Sequence, residues 1–299
     1  MADDVRSSGP LAREVIALWP QPPARSLPRL GPEQTFSPPE GVAAGTTMLR
    51  NVSEPTLTVF TPEAGTSNGC GVVVCPGGGW RILAWEHEGI DVAEWFARRG
   101  FTAFLLKYRV SATPADPVEF ARASAAMQKQ LSDPRPAAKA PRKMDQLMRD
   151  ETLLLAREIA ADDGRRALAI ARERGGDFGV DPQRIGLIGF SAGAFLVTDV
   201  AMDPQGPSPA FLAAIYGGDT RDRRVPADAP PLFTVIAHDD RLLFRMVEQL
   251  YKDWTDAERS AELHIYARGA HGFGMVRQGL PVDRWIDLLG DWLADRGFG

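Results

Sequence analysis

Cysteine and histidine are scarce in this chain, which has two cysteines and four histidines among 299 residues. Cys70 and Cys75 lie five positions apart beside one apolar run, so in a strand they face opposite sides and cannot form a disulfide. No disulfide is therefore required, and cysteine usage does not indicate whether the protein works in a reducing or an oxidising compartment. The histidines are scattered and no Cys-x-x-Cys pair exists, so we predict neither a metal site nor a cofactor.

Long apolar runs and an excess of positive charge are also absent. The formal net charge is −5, which argues against nucleic acid or an anionic membrane surface as the main partner. No apolar run is long enough to span a bilayer, and residues 1–15 lack the pattern of a signal peptide. We expect a cytoplasmic protein if Met1 is native, and an exported one if a leader was removed.

From residue 46 onward, short apolar runs alternate with helical patterns. This alternation predicts one α/β domain, with a mainly parallel central sheet covered by helices on both faces. The predicted strands are 46–49, 56–61, 71–75, 102–110, 185–188, 211–216, 232–237 and 263–266, and the predicted helices are 90–99, 163–174, 192–202, 242–254 and 282–293.

Two segments depart from the alternation. Residues 1–45 hold eight of the 24 prolines and show no sustained periodicity, which predicts an extended arm on the surface of a catalytic domain spanning 46–299. Residues 111–160 form an unusually long connection with several prolines. We interpret them as an inserted helical hairpin or partial lid, with a surface excursion away from the site as the alternative.

The sequence Gly189-Phe190-Ser191-Ala192-Gly193 ends an apolar run and precedes a helical pattern. Gly-x-Ser-x-Gly between a strand and a helix is typical of a nucleophile elbow, in which the serine hydroxyl is exposed on a strained turn. Ser191 is therefore the candidate nucleophile.

A serine nucleophile requires a base, and His271 is the candidate. His264 lies inside a predicted strand and His87 near the start of a helix, whereas His271 follows a strand on a glycine-rich loop. In α/β hydrolases the order along the chain is Ser, then acid, then His. His271 alone lies downstream of the serine, off a strand, and with a suitable acid between them.

The acid should lie on the loop after the strand at 232–237, where Asp239 and Asp240 both stand. Adjacent side chains point in different directions, so one can face His271 while the other caps the helix that begins near 241. We prefer Asp240 as the acid and Asp239 as the cap. Asp239 remains the alternative acid.

Backbone amides are needed to stabilise the oxyanion of a tetrahedral intermediate. The candidates are Ala192, directly after the nucleophile, and Gly78, Gly79 and Trp80 in the loop Cys75-Pro76-Gly77-Gly78-Gly79-Trp80. A phosphate-binding loop is the competing interpretation, but neither Gly-Lys-Ser/Thr nor Gly-x-Gly-x-x-Gly is present. Trp80 and Phe190 are the candidate substrate-pocket residues.

The elbow and the Gly-Gly-Gly-Trp loop resemble those of α/β-hydrolase-fold serine esterases. Together with His87-Glu88-Gly89 and Leu106-Lys107-Tyr108-Arg109, they resemble bacterial acetyl xylan esterase-like and feruloyl esterase-like hydrolases over about 45–299, apart from the insertion. The resemblance implies ester hydrolysis with Ser191 as nucleophile, Asp240 as acid and His271 as base. Pro76 and Ala194 depart from the family's His and Gly, which affects the substrate and the shape of the oxyanion loop.

Three functions remain open at this point. The leading one is a serine carboxylesterase that acts on small acyl esters, acetyl above all, through an acyl-enzyme. The second is a lactonase or peptidase using the same triad, and the third is a non-catalytic α/β-hydrolase-fold protein that binds a small ligand. The expected partner is a small-molecule ester, with acetylated carbohydrate among the candidates, and the oligomeric state is not indicated.

Overall fold

The computed structural model describes residues 13–28, 31–132, 150–206 and 208–299. The first twelve residues of the predicted arm, at 1–12, and part of the predicted insertion, at 133–149, lie outside these ranges. Within the described ranges, no helix is both long enough and apolar enough to cross a membrane.

A large, mostly parallel sheet forms the centre of the fold. Six strands run parallel, in the spatial order β7-β5-β8-β9-β10-β11, and β4 and β1 continue the sheet antiparallel at one edge. These strands are β1 (Arg13–Ala17), β4 (Thr56–Phe60), β5 (Gly71–Cys75), β7 (Thr102–Lys107), β8 (Ile185–Phe190), β9 (Leu212–Ile215), β10 (Leu232–Ala237) and β11 (Ala261–Tyr266). Every residue of β5, β8 and β10 is buried, as continuous apolar runs predict for a sheet covered on both faces.

Helices cover both faces of this sheet. The described α-helices are α1 (Asp91–Ala97), α2 (Pro117–Ser132), α3 (Glu151–Arg174), α4 (Ala192–Ala201), α5 (Phe244–Asp256) and α6 (Trp285–Asp295). Apolar side chains of α1 and α6 form the core on one face, while those of α3 and α4 and most of those of α5 form the core on the other. The predicted α/β architecture with a mainly parallel central sheet is therefore confirmed.

The described parts of the segment from 111 to 160, at 111–132 and 150–160, are largely helical. After α2, helix α3 begins at Glu151 rather than at 163, because the Asp150 side chain accepts hydrogen bonds from the Thr152 and Leu153 amides at 2.9 and 3.2 Å. The predicted insertion therefore overlaps the start of a core helix.

The arm contributes strands, which its proline content did not predict. β1 pairs with β4 at the edge of the main sheet. β2 (Gln34–Phe36) pairs with β3 (Met48–Arg50), and β3 pairs with β6 (Ile82–Leu83), so that these three form a small antiparallel sheet. This second sheet places residues of the arm beside the loop that begins at Gly77.

Candidate active site

Ser191 lies on a sharp turn between β8 and α4. Its backbone has φ 47° and ψ −113°, a conformation that residues with a Cβ rarely adopt. The turn requires the flanking glycines, because a Cβ on Gly189 would lie 2.2 Å from the Gly193 carbonyl oxygen. A Cβ on Gly193 would lie 2.1 Å from the Cys75 carbonyl oxygen. This is the backbone geometry of a nucleophile elbow, which exposes the serine hydroxyl at the start of a helix.

Two hydrogen bonds link Ser191 to the histidine and the aspartate named from the sequence. Ser191 Oγ lies 2.9 Å from His271 Nε2, and His271 Nδ1 lies 2.7 Å from Asp240 Oδ2. The three residues follow β8, β11 and β10 respectively, and the ends of parallel strands meet at one edge of a sheet. The fold thus brings together three side chains that are separated by up to 80 positions in the chain.

Charge around the histidine favours its protonated form. Burial disfavours the imidazolium, but the Asp240 carboxylate and its hydrogen bond, with a smaller contribution from Glu88, outweigh burial and raise the pKa of His271. Burial likewise favours the neutral acid at Asp240, but the charge and hydrogen bond of His271 and two backbone amides hold the pKa of Asp240 below its ordinary value. The pair therefore consists of a strengthened base beside a carboxylate that stays ionised.

Asp240 and Asp239 make different hydrogen bonds from those predicted. Asp240 is almost fully buried and also accepts hydrogen bonds from the Leu242 and Leu243 amides, so the residue that faces His271 is itself the cap of the following turn. Asp239 accepts hydrogen bonds from the amides of Gly269 and Ala270 at 3.1 and 2.8 Å. The prediction that Asp239 caps the helix is wrong, because its carboxylate holds the loop that carries His271.

The glycine-rich loop lines the same cavity as Ser191. Gly78, Gly79 and Trp80 have φ angles of 133°, 61° and 57°, so three consecutive residues adopt left-handed or related conformations. Within the described residues, the amides of these three and of Ala192 meet no protein acceptor. All four residues line the cavity that contains Ser191. They are therefore available as the donors that an oxyanion requires.

Glu88 is a residue of the site that the sequence did not single out. Its buried carboxylate accepts a hydrogen bond from the Gly77 amide at 2.7 Å and one from the Tyr216 hydroxyl at 2.6 Å. The Tyr216 oxygen in turn accepts a hydrogen bond from the Gly274 amide at 3.1 Å. Glu88 thus ties the glycine-rich loop to the loop of His271. The signal was the His87-Glu88-Gly89 sequence, which the resemblance quoted without a role.

Replacing Glu88 with glutamine should lower kcat/KM by about 10- to 100-fold, because both loops lose the anion that positions them. The acid limb of the kcat/KM profile should also move to lower pH, since removing the Glu88 charge lowers the pKa of His271. Glu86→Gln is the matched control. Glu86 lies in the same helical turn as Glu88, but its carboxylate accepts a hydrogen bond from the Thr47 amide and not from either loop of the site. If the acid limb of the Glu88→Gln profile stays at the wild-type pH, Glu88 has only a structural role and its charge does not act on His271.

Ser191 and His271 lie in the wall of a cavity of about 430 Å³. This volume falls in the range of cavities that hold small molecules. Within the described residues, no group of three or more His, Cys, Asp or Glu side chains is arranged to hold a metal ion. The Ser191 side chain and the half-buried His271 ring both border this cavity.

Phe190 does not line this cavity. Its side chain is fully buried, with ring centroids 5.9 Å from Tyr216 and 5.7 Å from Trp285. Successive side chains at a strand end point to opposite faces, so Phe190 packs into the core beneath β8 while Ser191 turns outward. The prediction of Phe190 as a substrate-pocket residue is wrong, whereas Trp80 is in the cavity wall as predicted.

The sequence was compared with models of known protein families. The profile of the dienelactone hydrolase family matches residues 59–284, which is most of the chain. The chain belongs to the dienelactone hydrolase family. This membership confirms the predicted α/β-hydrolase fold and the prediction of a hydrolase.

A curated relative agrees with the resemblance seen in the sequence. An acetylxylan esterase from Xylanibacter ruminicola is 23% identical over 271 residues, covering 79% of this chain and 47% of the relative. The chain therefore spans about half the length of that protein. The predicted likeness to acetyl xylan esterases is confirmed.

Solved structures share the fold of this family member. An acetyl ester-xyloside bifunctional hydrolase from Caldicellulosiruptor lactoaceticus has a TM-score of 0.62 at 22% identity, covering 97% of this chain and 99% of that chain. Esterase 2 from Thermogutta terrifontis, solved after phosphorylation by paraoxon, has a TM-score of 0.57 at 19% identity, covering 83% and 91%. At these identities the structures establish the fold alone.

Proposed function

We propose that this chain hydrolyses carboxylic esters of small acyl groups, with acetyl esters as the leading substrates. The observation that carries the proposal is the hydrogen-bonded sequence Ser191–His271–Asp240 in the wall of a cavity. A serine hydroxyl becomes an effective nucleophile when a base removes its proton and a carboxylate orients that base. The acetylxylan esterase relative and the acetyl ester-xyloside hydrolase neighbour support the choice of acetyl esters.

The first half-reaction forms an acyl-enzyme. Ser191 Oγ attacks the ester carbonyl carbon while His271 Nε2 accepts the hydroxyl proton, and the carbonyl oxygen becomes an oxyanion. The amides of Ala192 and of the Gly78–Trp80 segment are the donors for that oxyanion. The intermediate then collapses, the bond to the alcohol oxygen breaks, and His271 donates its proton to the leaving alcohol. The acyl group remains on Ser191.

The second half-reaction releases the acid. A water molecule donates a proton to His271 Nε2 as its oxygen attacks the acyl carbon, and a second oxyanion forms at the same amides. Collapse breaks the bond to Ser191 Oγ, which recovers its proton from His271. Asp240 remains ionised throughout and holds the imidazole through Nδ1. The raised pKa of His271 and the lowered pKa of Asp240 both favour this division of roles.

The pH dependence of kcat/KM should follow His271. The neutral imidazole is the base, so activity falls as the pH decreases through the pKa of His271 in the free enzyme. Because that pKa is raised, the acid limb should have its midpoint above the ordinary histidine value of 6.5. A profile measured with ethyl acetate from pH 4 to 10 checks this. A midpoint below 6 would contradict the strengthening of the base by Asp240.

A panel of unactivated substrates tests the proposed function. It contains ethyl acetate, ethyl butyrate, acetylated xylobiose, δ-valerolactone and an N-acetylated dipeptide, each assayed with the wild-type protein and with Ser191→Ala. The lactone belongs in the panel because the family description names a lactone hydrolase. Turnover of acetyl esters that disappears in Ser191→Ala supports the proposal. Turnover of the lactone alone favours the second candidate, and no turnover of any substrate favours the ligand-binding alternative.

A further inference from the structure

Part of the lining of the cavity that contains Ser191 comes from the arm and from strand β3, which follows it. Phe36, Pro38, Val42 and Met48 line the cavity, and all four precede residue 59, where the match to the family begins. Phe120 and Ala123 of α2 complete this side. We call these six residues the arm–α2 wall. The six side chains are built almost wholly of carbon, and three of them, Phe36, Pro38 and Val42, belong to the arm.

Ring contacts and hydrogen bonds fix the position of the arm–α2 wall. The rings of Phe36 and Phe120 meet edge to face with centroids 4.8 Å apart. The Arg50 guanidinium lies 4.3 Å from the Phe120 ring centroid and donates to the carbonyl oxygen of Ala115 at 3.0 Å and to that of Pro114. Arg50 is almost fully buried, so it joins β3 to the segment that leads into α2.

Glu40, Arg81 and Ser124 also line the cavity, whereas Arg50, which lies over the Phe120 ring, and the neighbouring Thr113 already donate to protein acceptors. The Thr113 hydroxyl donates to the Asn51 side chain at 3.0 Å, and Arg50 donates to the Gln34 side chain as well as to backbone carbonyls. A hydroxylated sugar placed against the six side chains of the arm–α2 wall would find no hydrogen-bonding group among them, which is unfavourable. An apolar group would remove carbon surface from water on both sides, which is favourable.

From this wall we infer that the substrate ester carries an apolar group, such as a phenylalkyl group, that binds between Phe36 and Phe120 on one side and Ser191 on the other. The inference rests on the proposed ester hydrolysis and narrows its substrate class away from acetylated oligosaccharides. The apolar group is on either the alcohol or the acyl side of the ester, since the wall recognises carbon surface in either position.

Matched ester pairs test the inference and distinguish the two sides. On the alcohol side, 2-phenylethyl acetate is compared with ethyl acetate; on the acyl side, methyl 3-phenylpropanoate is compared with methyl acetate. We expect at least one phenyl ester to exceed its small counterpart in kcat/KM by about tenfold or more, a modest value for several added carbons in an apolar pocket. Acetylated xylobiose should be poorer than that phenyl ester. The reverse ranking would overturn the inference.

Variants of the wall link any preference to its residues. Phe36→Ser and Phe120→Ser should each reduce the preference for the phenyl ester about tenfold, and Phe120→Leu should keep most of it. Val118→Ser is the matched control, because Val118 lies on the same helix with 57% of its surface exposed. Far-UV circular dichroism and thermal unfolding identify variants that fail to fold. A preference that survives in folded Phe36→Ser and Phe120→Ser proteins would overturn the inference.

A binding measurement separates failure of the inference from failure of the proposed function. Isothermal titration of Ser191→Ala with 2-phenylethyl acetate, methyl 3-phenylpropanoate and xylobiose needs no turnover. Tighter binding of a phenyl ester than of xylobiose, weakened in the Ser191→Ala/Phe120→Ser double variant, supports the subsite even if no ester is hydrolysed. Hydrolysis of ethyl acetate without any advantage for the phenyl esters, in turnover or in binding, rejects the subsite and leaves the proposed function standing.

Discussion

We expect Ser191→Ala to lower kcat for ester hydrolysis by a factor of about 10⁴ to 10⁶, with little change in substrate affinity. The hydroxyl is the only group removed, and its oxygen lies 2.9 Å from His271 Nε2 at the cavity wall. Initial rates with ethyl acetate, and with whichever substrate in the panel is best, provide the measurement. The residual activity of Ser191→Ala should be the rate that substrate binding and the oxyanion donors provide without the serine nucleophile.

Ser67→Ala is the control for this substitution, because Ser67 lies on a surface turn where its hydroxyl accepts a bond from the Gly69 amide. It should retain wild-type kcat and KM. Ser191→Ala should also retain the wild-type circular dichroism spectrum, because alanine adds no atom to the elbow. Turnover by Ser191→Ala within tenfold of the wild type would remove Ser191 from the mechanism.

Asp240→Asn should reduce kcat by about 10⁴-fold, the loss that follows when the acid of a triad can no longer hold its histidine in the productive tautomer. The amide keeps the shape of the side chain but replaces the carboxylate that lies 2.7 Å from His271 Nδ1. The remaining activity should have its acid limb at lower pH, since the charge that most raises the pKa of His271 is gone. Full kcat and kcat/KM profiles against pH check both effects.

Asp239→Asn provides the comparison within the same loop. Its carboxylate bonds the Gly269 and Ala270 amides rather than His271 itself, so the variant should lose only about tenfold in kcat/KM through a looser histidine loop. Its acid limb should stay near that of the wild type. A larger loss in Asp239→Asn than in Asp240→Asn would reverse the assignment of the acid.

The order of chemical residues along the chain allowed the centre of the site to be predicted. Ser191 was recognisable because the flanking glycines must adopt a tight turn that few sequences permit, and the clash of any Cβ at Gly189 or Gly193 shows why. His271 followed by elimination among four histidines. Parallel strands end at one edge, so an acid after β10 and a histidine after β11 were bound to approach the serine after β8.

Contacts across distant segments could not be predicted in the same way. The sequence separated Asp239 from Asp240 by preference only, and it did not reveal that Asp240 both caps a turn and bonds His271. Glu88 acquires its position through Tyr216 and Gly77, which lie 128 and 11 residues away along the chain. Phe190 looked like a pocket residue because it adjoins Ser191, whereas the alternation of side chains at the strand end buries it.

The strands of the arm could not be predicted from local sequence periodicity. β1 and β2 are short strands in a proline-rich segment, and their pairing depends on β4 and β3, which come later in the chain. No period within residues 13–36 signals such partners. As a result, the sequence did not indicate that Phe36 would lie opposite Phe120 in the cavity wall.

Covalent labelling with a fluorophosphonate tests the central claim most directly, because the reagent reacts with an activated serine and needs no knowledge of the substrate. Intact mass should show one adduct per chain, and peptide mapping should place it on Ser191. Labelling should be slowed severely in Asp240→Asn and should be absent in Ser191→Ala. A wild-type protein that stays unlabelled, or an adduct on a different residue, would contradict the account of Ser191 as a nucleophile activated by His271 and Asp240.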